Sequence, residues 1–73
     1  MKMKSEQMIK LIEETRQLYL LQANYGKKKL NSKVEFLTAQ QIAQETIHIQ
    51  DMESRAYALK LLIEEITDYE ANQ

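Results

Sequence analysis

The sequence contains no cysteine and no proline, and Gly26 is its single glycine. Without cysteine, the chain has neither disulfides nor cysteine-ligated zinc sites to stabilise it. One glycine is too few for a glycine-rich phosphate loop. The chain has 73 residues, which is one domain at most, and a core of that size supplies only roughly 3–5 kcal/mol of net stability. Stability must therefore come from packing within the chain or against a second chain.

Long apolar runs and aromatic residues are also scarce. The longest apolar run is Leu18–Leu21, far short of the ~20 residues that a membrane span needs. The first residues, Met1–Lys4, include two lysines, but no apolar signal core follows them. Aromatic residues make up 7% of the chain, which argues against a sheet, whereas the abundant Leu, Ala, Glu, Gln and Lys favour helices. The composition predicts a cytoplasmic, all-α protein.

One glycine divides the chain into two predicted helices. Gly26 takes the left-handed conformation at little cost, so it predicts the end of a first helix over about residues 6–25. A loop over residues 26–31 and a second helix over about residues 32–70 follow. Together they form a single helical domain over residues 1–73.

The start and the continuity of the second helix each have two interpretations. Ser32–Glu35 and Thr38–Gln41 both have the form of a capping box, and we favour Ser32 as the cap. No glycine or proline follows, so we predict one continuous helix. The alternative is a break near Asp51, which gives a monomeric three-helix bundle.

The apolar residues recur at helical spacing, in stripes wider than one partner helix requires. The predicted core and dimer residues are Met8, Leu11, Ile12, Leu18, Tyr19, Ile42, Ile49, Met52, Ala56, Leu59, Leu62, Ile63 and Ile66. A 20-residue first helix covers about 30 Å of a second helix that is about 58 Å long. Half of the second helix would then lack a partner, so we predict a helical hairpin (short first helix, long second helix) that dimerises into a four-helix arrangement.

Charge is divided unevenly along the chain, although the net charge is −1. Residues 1–33 carry eight basic and three acidic groups, whereas residues 34–73 carry two basic and eight acidic groups. We expect the basic first helix to lie against an acidic second helix. The lysine-rich segment between the helices is the candidate for anion contacts, through Lys27, Lys28, Lys29 and Lys33. It supports an alternative function, a nucleic-acid-binding regulator.

Residues that could carry chemistry are few and poorly spaced. Glu45 and His48 have the Glu-x-x-His spacing of di-metal helix bundles. Such a bundle also needs inward-facing glutamates on the first helix, and Glu13 and Glu14 lie off its apolar stripe. No serine has a histidine and an acid at useful spacing. We expect no catalytic, cofactor or metal site.

Four apolar residues fall outside the main stripes and are our candidate partner-binding surface: Ile9, Leu20, Tyr57 and Leu61. Exposed apolar residues of this kind often mark protein interaction sites. The favoured function is therefore a small non-enzymatic protein–protein interaction module. It would act as a homodimeric adaptor, inhibitor or regulator of a larger protein.

A short resemblance points the same way. Ile12–Arg16, then Tyr25 and Gly26, then a second helix, are similar to the small sporulation aspartyl-phosphate phosphatases of bacilli, which are helical hairpins that act on response regulators. At the position of their Ser-Gln-Glu-Leu-Asp signature, this chain has Ala39–Ala43 in the order Ala-Gln-Gln-Ile-Ala, without the serine or the acid. The resemblance implies a hairpin that binds a regulator without that activity.

Overall fold

Two long helices form an antiparallel hairpin. A computed structural model describes residues 2–72, and side-chain burial for residues 5–72. Helix α1 spans Lys2–Lys33, a short 3-10 turn spans Val34–Phe36, and helix α2 spans Ala39–Ala71. The Cα atoms extend 54 × 15 × 12 Å. The predicted all-α hairpin is confirmed. Helix α2 is continuous, so the three-helix alternative is wrong: no residue near position 51 breaks the helical hydrogen bonding.

The predicted end of the first helix is wrong, because Gly26 lies inside α1. Gly26 has no positive φ, so it does not use the left-handed conformation that the cap prediction requires. It is buried against α2, where a Cβ atom at this position would lie 2.8 Å from Ile49 Cγ1. The glycine lets the two helices approach closely. Residues 26–31, predicted as a loop, therefore continue the helix to Lys33.

The favoured start of the second helix is also wrong, and the alternative is correct. Ser32 lies within α1, where its hydroxyl donates to the Lys28 carbonyl. Thr38 is the N-cap of α2: the backbone N–H of Gln41 donates to Thr38 Oγ1 at 3.1 Å, and the Thr38 N–H donates to Gln41 Oε1 at 2.9 Å. This reciprocal pair satisfies two backbone donors that no helical carbonyl can reach.

Replacing the cap is expected to destabilise the hairpin. Thr38→Ala removes the acceptor for the Gln41 N–H, and we expect the free energy of unfolding to fall by about 1 kcal/mol. Chemical denaturation followed by circular dichroism measures the change. Thr46→Ala is the matched control, because the exposed Thr46 hydroxyl donates only to the Ile42 carbonyl within α2. Equal losses from the two variants would contradict a capping role for Thr38.

The two helices are nearly equal in length, which corrects the prediction of a short helix against a long one. They contain 32 and 33 residues, or about 48 and 50 Å at 1.5 Å per residue. Each helix covers the other along most of its length. Helix α2 therefore has no unpaired half that would require a second chain.

A regular seam joins the helices, but its core is thin. The inward positions of each helix recur at alternating intervals of three and four residues, the spacing of coiled-coil packing. They are Ile9, Ile12, Arg16, Tyr19, Ala23, Gly26 and Leu30 in α1, and Ile42, Glu45, Ile49, Met52, Ala56, Leu59, Ile63 and Ile66 in α2. Among the described residues, four apolar side chains are buried, at Ala23, Ile49, Met52 and Ala56. Two of the four are alanines, so a single hairpin hides little apolar surface.

Candidate interaction surface

Contacts across the seam fix the register of the hairpin. Gly26 lies against Ile49, and Ala23 packs in one cluster with Ile49 and Met52. A residue at position n of α1 thus lies level with about position 75 − n of α2. This relation shows which exposed residues of the two helices are neighbours.

An apolar face runs along one side of the seam. It consists of Met8, Leu11, Leu18 and Tyr25 from α1 and Leu62 and Tyr69 from α2, each between 41% and 72% exposed. At about 100° per residue, Met8, Leu62 and Tyr69 lie directly beside the inward positions, and the other three lie one position further out on the same flank, beyond Thr15, Gln22 and Lys29. In an antiparallel pair, the same flank of each helix faces the same side of the pair. We call these six residues the apolar face.

A groove near the loop end supports this assignment of flanks. Gln22, Tyr25 and Lys29 of α1 line it together with Glu45 and His48 of α2. Residues from the same flank of each helix therefore meet on one side of the hairpin. By the register, Leu11 is level with about position 64, which places Leu62 beside it.

The opposite side of the hairpin is polar. Lys27 Nζ lies 2.6 Å from Glu53 Oε2 across the seam on this side, and Lys60 follows Glu53 after two turns of α2. Both partners of the ion pair are about half exposed, so it contributes no more than about 1 kcal/mol. The apolar face thus lies on one long side of the hairpin, with Gln22, Lys29 and His48 interspersed among its residues, and the ion pair of Lys27 and Glu53 lies on the other.

The predicted core and dimer residues divide into two groups. The buried or half-buried group lies in the seam: Ile12, Tyr19, Ile42, Ile49, Met52, Ala56, Leu59, Ile63 and Ile66. The remaining four, Met8, Leu11, Leu18 and Leu62, are exposed and belong to the apolar face. The apolar stripe predicted from the sequence therefore contains residues of two surfaces, the seam and the apolar face, which lie side by side on each helix.

Sequence reasoning missed several members of both surfaces. Ala23, Gly26 and Leu30 belong to the seam, and Tyr25 belongs to the apolar face. The sequence did contain a signal for the seam residues, because the alternating spacing of three and four residues between inward positions continues through Gly26 to Leu30 without a gap. The interpretation of Gly26 as a helix end excluded this continuation of the helical spacing from the prediction.

The four predicted partner-binding residues do not form one surface. Ile9 is half-buried at an inward position of the seam, and its role as a partner contact stays a prediction. Leu20 is half-buried on the polar side. Tyr57 is 59% exposed and Leu61 is 42% exposed, and both point away from the seam. Tyr57 and Leu61 therefore remain as an exposed apolar pair on the outer side of α2.

The lysine-rich segment is helical rather than a loop, and its side chains are spread around α1. Lys27 pairs with Glu53, and Lys29 Nζ lies 3.7 Å from Glu45 Oε2. Because successive residues of a helix point about 100° apart, Lys27, Lys28 and Lys29 face three directions. Lys33 ends the helix. Two of the four lysines thus contact carboxylates of α2, which fits the predicted pairing of a basic helix with an acidic one.

Arg55 links the two helices in the middle of the hairpin. Its guanidinium carbon lies 5.7 Å from the centroid of the Tyr19 ring, a distance typical of cation–π contacts. Its Nε atom lies 3.2 Å from Asp51 Oδ2. The contact with Tyr19 and the charge of Asp51 raise the pKa of Arg55. Arg55 therefore places a positive charge beside the apolar face.

A second polar cluster lies on α1. Gln17 Nε2 donates to Glu13 Oε1 at 2.9 Å, and Arg16 donates to the same oxygen at 2.7 Å. The hydrogen bond from Gln17, followed by the charge of Arg16, lowers the pKa of Glu13. These contacts fix the side chains of one helix surface and bring no reactive group together.

Among the described residues, the side chains considered as metal ligands do not converge on one point. Glu45 points toward Lys29 and His48 lies exposed in the groove, and no group of three or more described His, Asp or Glu side chains is placed to hold a metal ion. In this part of the chain, neither helix contains a stretch long and apolar enough to cross a membrane. The apolar face is therefore the best-defined candidate for a functional surface.

Comparison of the chain with known protein families, curated proteins and solved structures finds no match. The resemblance to the sporulation phosphatases thus gains no support beyond the shared hairpin shape.

Proposed function

We propose that this chain is a small non-enzymatic protein–protein interaction module that acts as a helical dimer. The observation that carries the proposal is the apolar face, whose six side chains are at least 41% exposed in the single hairpin. Exposed apolar side chains gathered on one side of a protein mark interaction sites. In a dimer, each hairpin supplies two helices to a four-helix arrangement.

The thin core of the hairpin gives the energetic reason. A fully buried large apolar side chain contributes roughly 1.5–3 kcal/mol, and two of the four buried residues are alanines. Pairing of two apolar faces would remove Met8, Leu11, Leu18 and Leu62 from water in both chains. Association thus supplies burial that one hairpin lacks.

Light scattering coupled to size-exclusion chromatography tests the dimer directly. The monomer has a mass of 8.6 kDa, and we expect twice that value at micromolar concentrations. A mass of 8.6 kDa throughout the concentration range would reject the dimer.

The exposed pair on the outer side of α2 is the proposed surface for a protein partner. Tyr57 and Leu61 lie away from the apolar face, so they remain accessible when that face is covered. We expect Tyr57→Glu combined with Leu61→Glu to lose a stoichiometric protein that the wild-type chain captures from nuclease-treated lysate, while the dimer stays intact. Gln40→Glu, at an exposed polar position near the start of α2, is the control that keeps binding. Equal capture by all three proteins would reject this surface.

Nucleic-acid binding through the lysines has less support. Lys27 and Lys29 contact carboxylates of α2, and the lysines do not share a face. The acidic residues of α2 repel phosphate along the rest of the hairpin. Recovery of nucleic acid alone from untreated lysate would favour this alternative.

A further inference from the structure

We infer that a second copy of the chain covers the apolar face with its loop at the same end, so that α1 of each copy lies antiparallel on α2 of the other. This inference rests on the proposed dimer and adds the orientation of the two hairpins. In this arrangement the two-fold axis runs parallel to the helices, midway between the two apolar faces. Such an axis shifts no residue along the helices, so position n of α1 is level with about position 75 − n of α2 in the second copy as well.

The apolar face is concentrated at the open end of the hairpin, where α1 begins and α2 ends. By the register, Tyr69 is level with about position 6 of α1, and Leu62 is level with about position 13. Met8 and Leu11 lie between these two levels, so the four residues occupy a stretch of about 10 Å at 1.5 Å per residue. They are 41% to 69% exposed, and we call them the open-end cluster.

Toward the loop, polar side chains interrupt the same side of the hairpin. Gln22, Lys29 and His48 line the groove there together with Tyr25, and Arg55 is level with about position 20 of α1. Full overlap with the loops at opposite ends would set the open-end cluster against these polar residues. Full overlap with the loops at the same end sets the cluster of one copy against the cluster of the other, so that eight apolar side chains meet.

The levels of individual residues agree with this arrangement. Three pairs of apolar residues, one on α1 and one on the same flank of α2 in the second copy, are level within two residues: Met8 with Tyr69, Leu11 with Leu62, and Leu18 with Ala58. Two residues of a helix correspond to about 3 Å along its axis, which long apolar side chains bridge. The two-fold axis makes each pair occur twice.

The charges of the helices select the same orientation. Helix α1 carries eight basic and three acidic groups, a net charge of +5, and α2 carries two basic and seven acidic groups, a net charge of −5. With both loops at one end, each +5 helix lies on a −5 helix of the second copy. Helices of like charge lie on the diagonals of the four-helix arrangement, where they are farthest apart. Complementary charges of this kind favour one orientation of an interface.

Opposite charges also meet at each end of the assembly. At the open end, residues 2–12 of α1 carry +2 and residues 62–72 of α2 carry −4. At the loop end, residues 25–33 of α1 carry +4 and residues 39–50 of α2 carry −1. The helices that pack together thus have opposite charge at both ends, although the open end as a whole is negative.

A dimer that overlaps only at the open ends, with its loops pointing apart, would also join the two clusters. It would lay α1 on α1 and α2 on α2, with like charges in contact. It would also cover only part of the hairpin, whose Cα atoms span 54 Å by 15 Å in the two longest directions. Full overlap covers roughly 800 Å², close to the area that each partner contributes to a standard protein interface.

Spin labels at the two ends test the orientation in the full chain. The protein has no cysteine, so Glu35→Cys and Asn72→Cys each provide one labelling site at an exposed position. In each labelled dimer we expect a short distance between the labels, under ~25 Å, because packed helices lie 8–10 Å apart. Mixing the two labelled proteins is expected to add a distance close to the 54 Å length of the hairpin.

Cross-linking between two singly substituted chains tests the interface itself. Leu11→Cys and Leu62→Cys are mixed, so that a dimer can carry one cysteine from each variant. A short thiol-reactive cross-linker is expected to join the two variants, because Leu11 of one copy lies beside Leu62 of the other. The matched control is Leu11→Cys mixed with Leu61→Cys, because Leu61 points away from the seam and should give a much lower yield.

The outcomes separate the inference from the proposed function. A dimer with a long distance between labels at position 35 would overturn the orientation and leave the proposed dimer standing. Equal cross-linking of Leu61→Cys and Leu62→Cys would overturn the pairing of the open-end clusters in the same way. A mass of 8.6 kDa without dipolar coupling would overturn both the inference and the dimer. Short distances at positions 35 and 72, a long distance only on mixing, and selective cross-linking of Leu62→Cys support the inference.

Discussion

Leu11→Glu combined with Leu18→Glu is expected to convert the proposed dimer into a monomer of 8.6 kDa. These leucines lie in the middle of the apolar face and are 63% and 58% exposed in the single hairpin. In the dimer each substitution loses roughly 1.5–3 kcal/mol of apolar burial and adds the cost of burying a carboxylate. With two substitutions in each of two chains, we expect the dissociation constant to rise more than roughly 10³-fold.

The same variant is expected to alter thermal unfolding. The proposed dimerisation predicts that the melting temperature of the wild-type protein rises with protein concentration. The double variant should melt at a lower temperature that does not depend on concentration. Its seam is unchanged, and glutamate is a good helix former, so circular dichroism at low temperature should still show helix.

Ile47→Glu combined with Leu61→Glu is the matched control. Both residues are exposed, at 64% and 42%, and both lie on the side of α2 opposite the seam. The control adds the same charge to each chain, and we expect it to remain a dimer. Dissociation of the control, with Leu11→Glu and Leu18→Glu still dimeric, would place the interface on the outer surface of α2.

Gly26→Leu is expected to lower the free energy of unfolding by about 2 kcal/mol. A Cβ atom at this position would lie 2.8 Å from Ile49 Cγ1 and 2.9 Å from Glu45 Oε1. Ile49 is only 6% exposed, so it has little room to move, and overpacking of this kind costs typically 1–3 kcal/mol. The gain in helix propensity on replacing glycine, somewhat under ~1 kcal/mol, offsets part of that cost.

Chemical denaturation at fixed protein concentration measures this effect, with Asn24→Leu as the control. Asn24 is exposed two residues earlier in α1, so the control gains helix propensity without a clash. We expect it to be as stable as the wild type or slightly more so. If Gly26→Leu matched the control in stability, Gly26 would not be a site of close helix approach.

Local sequence signals predicted much of the fold. The absence of proline and the single glycine predicted long helices, and α2 does run through Asp51 without a break. The Thr38–Gln41 capping box was recognised, although Ser32 was favoured. Ser32–Glu35 and Thr38–Gln41 have the same capping-box form in the sequence. In the structure the Ser32 hydroxyl donates to a carbonyl within α1, whereas the Thr38 hydroxyl accepts from the backbone of Gln41 at the start of α2.

The sequence by itself determined that the chain forms two helices, because helix propensity and the Thr38 cap act over a few neighbouring residues. Only the tertiary structure decided the role of Gly26. Glycine suits a helix end and a close contact equally well, and Ile49, distant along the chain, determines which one occurs. The tertiary structure also decided which residues of the predicted apolar stripe lie in the seam and which lie on the apolar face. Leu18 and Tyr19 are adjacent in the chain, and the register against α2 turns Tyr19 toward the seam and leaves Leu18 on the apolar face.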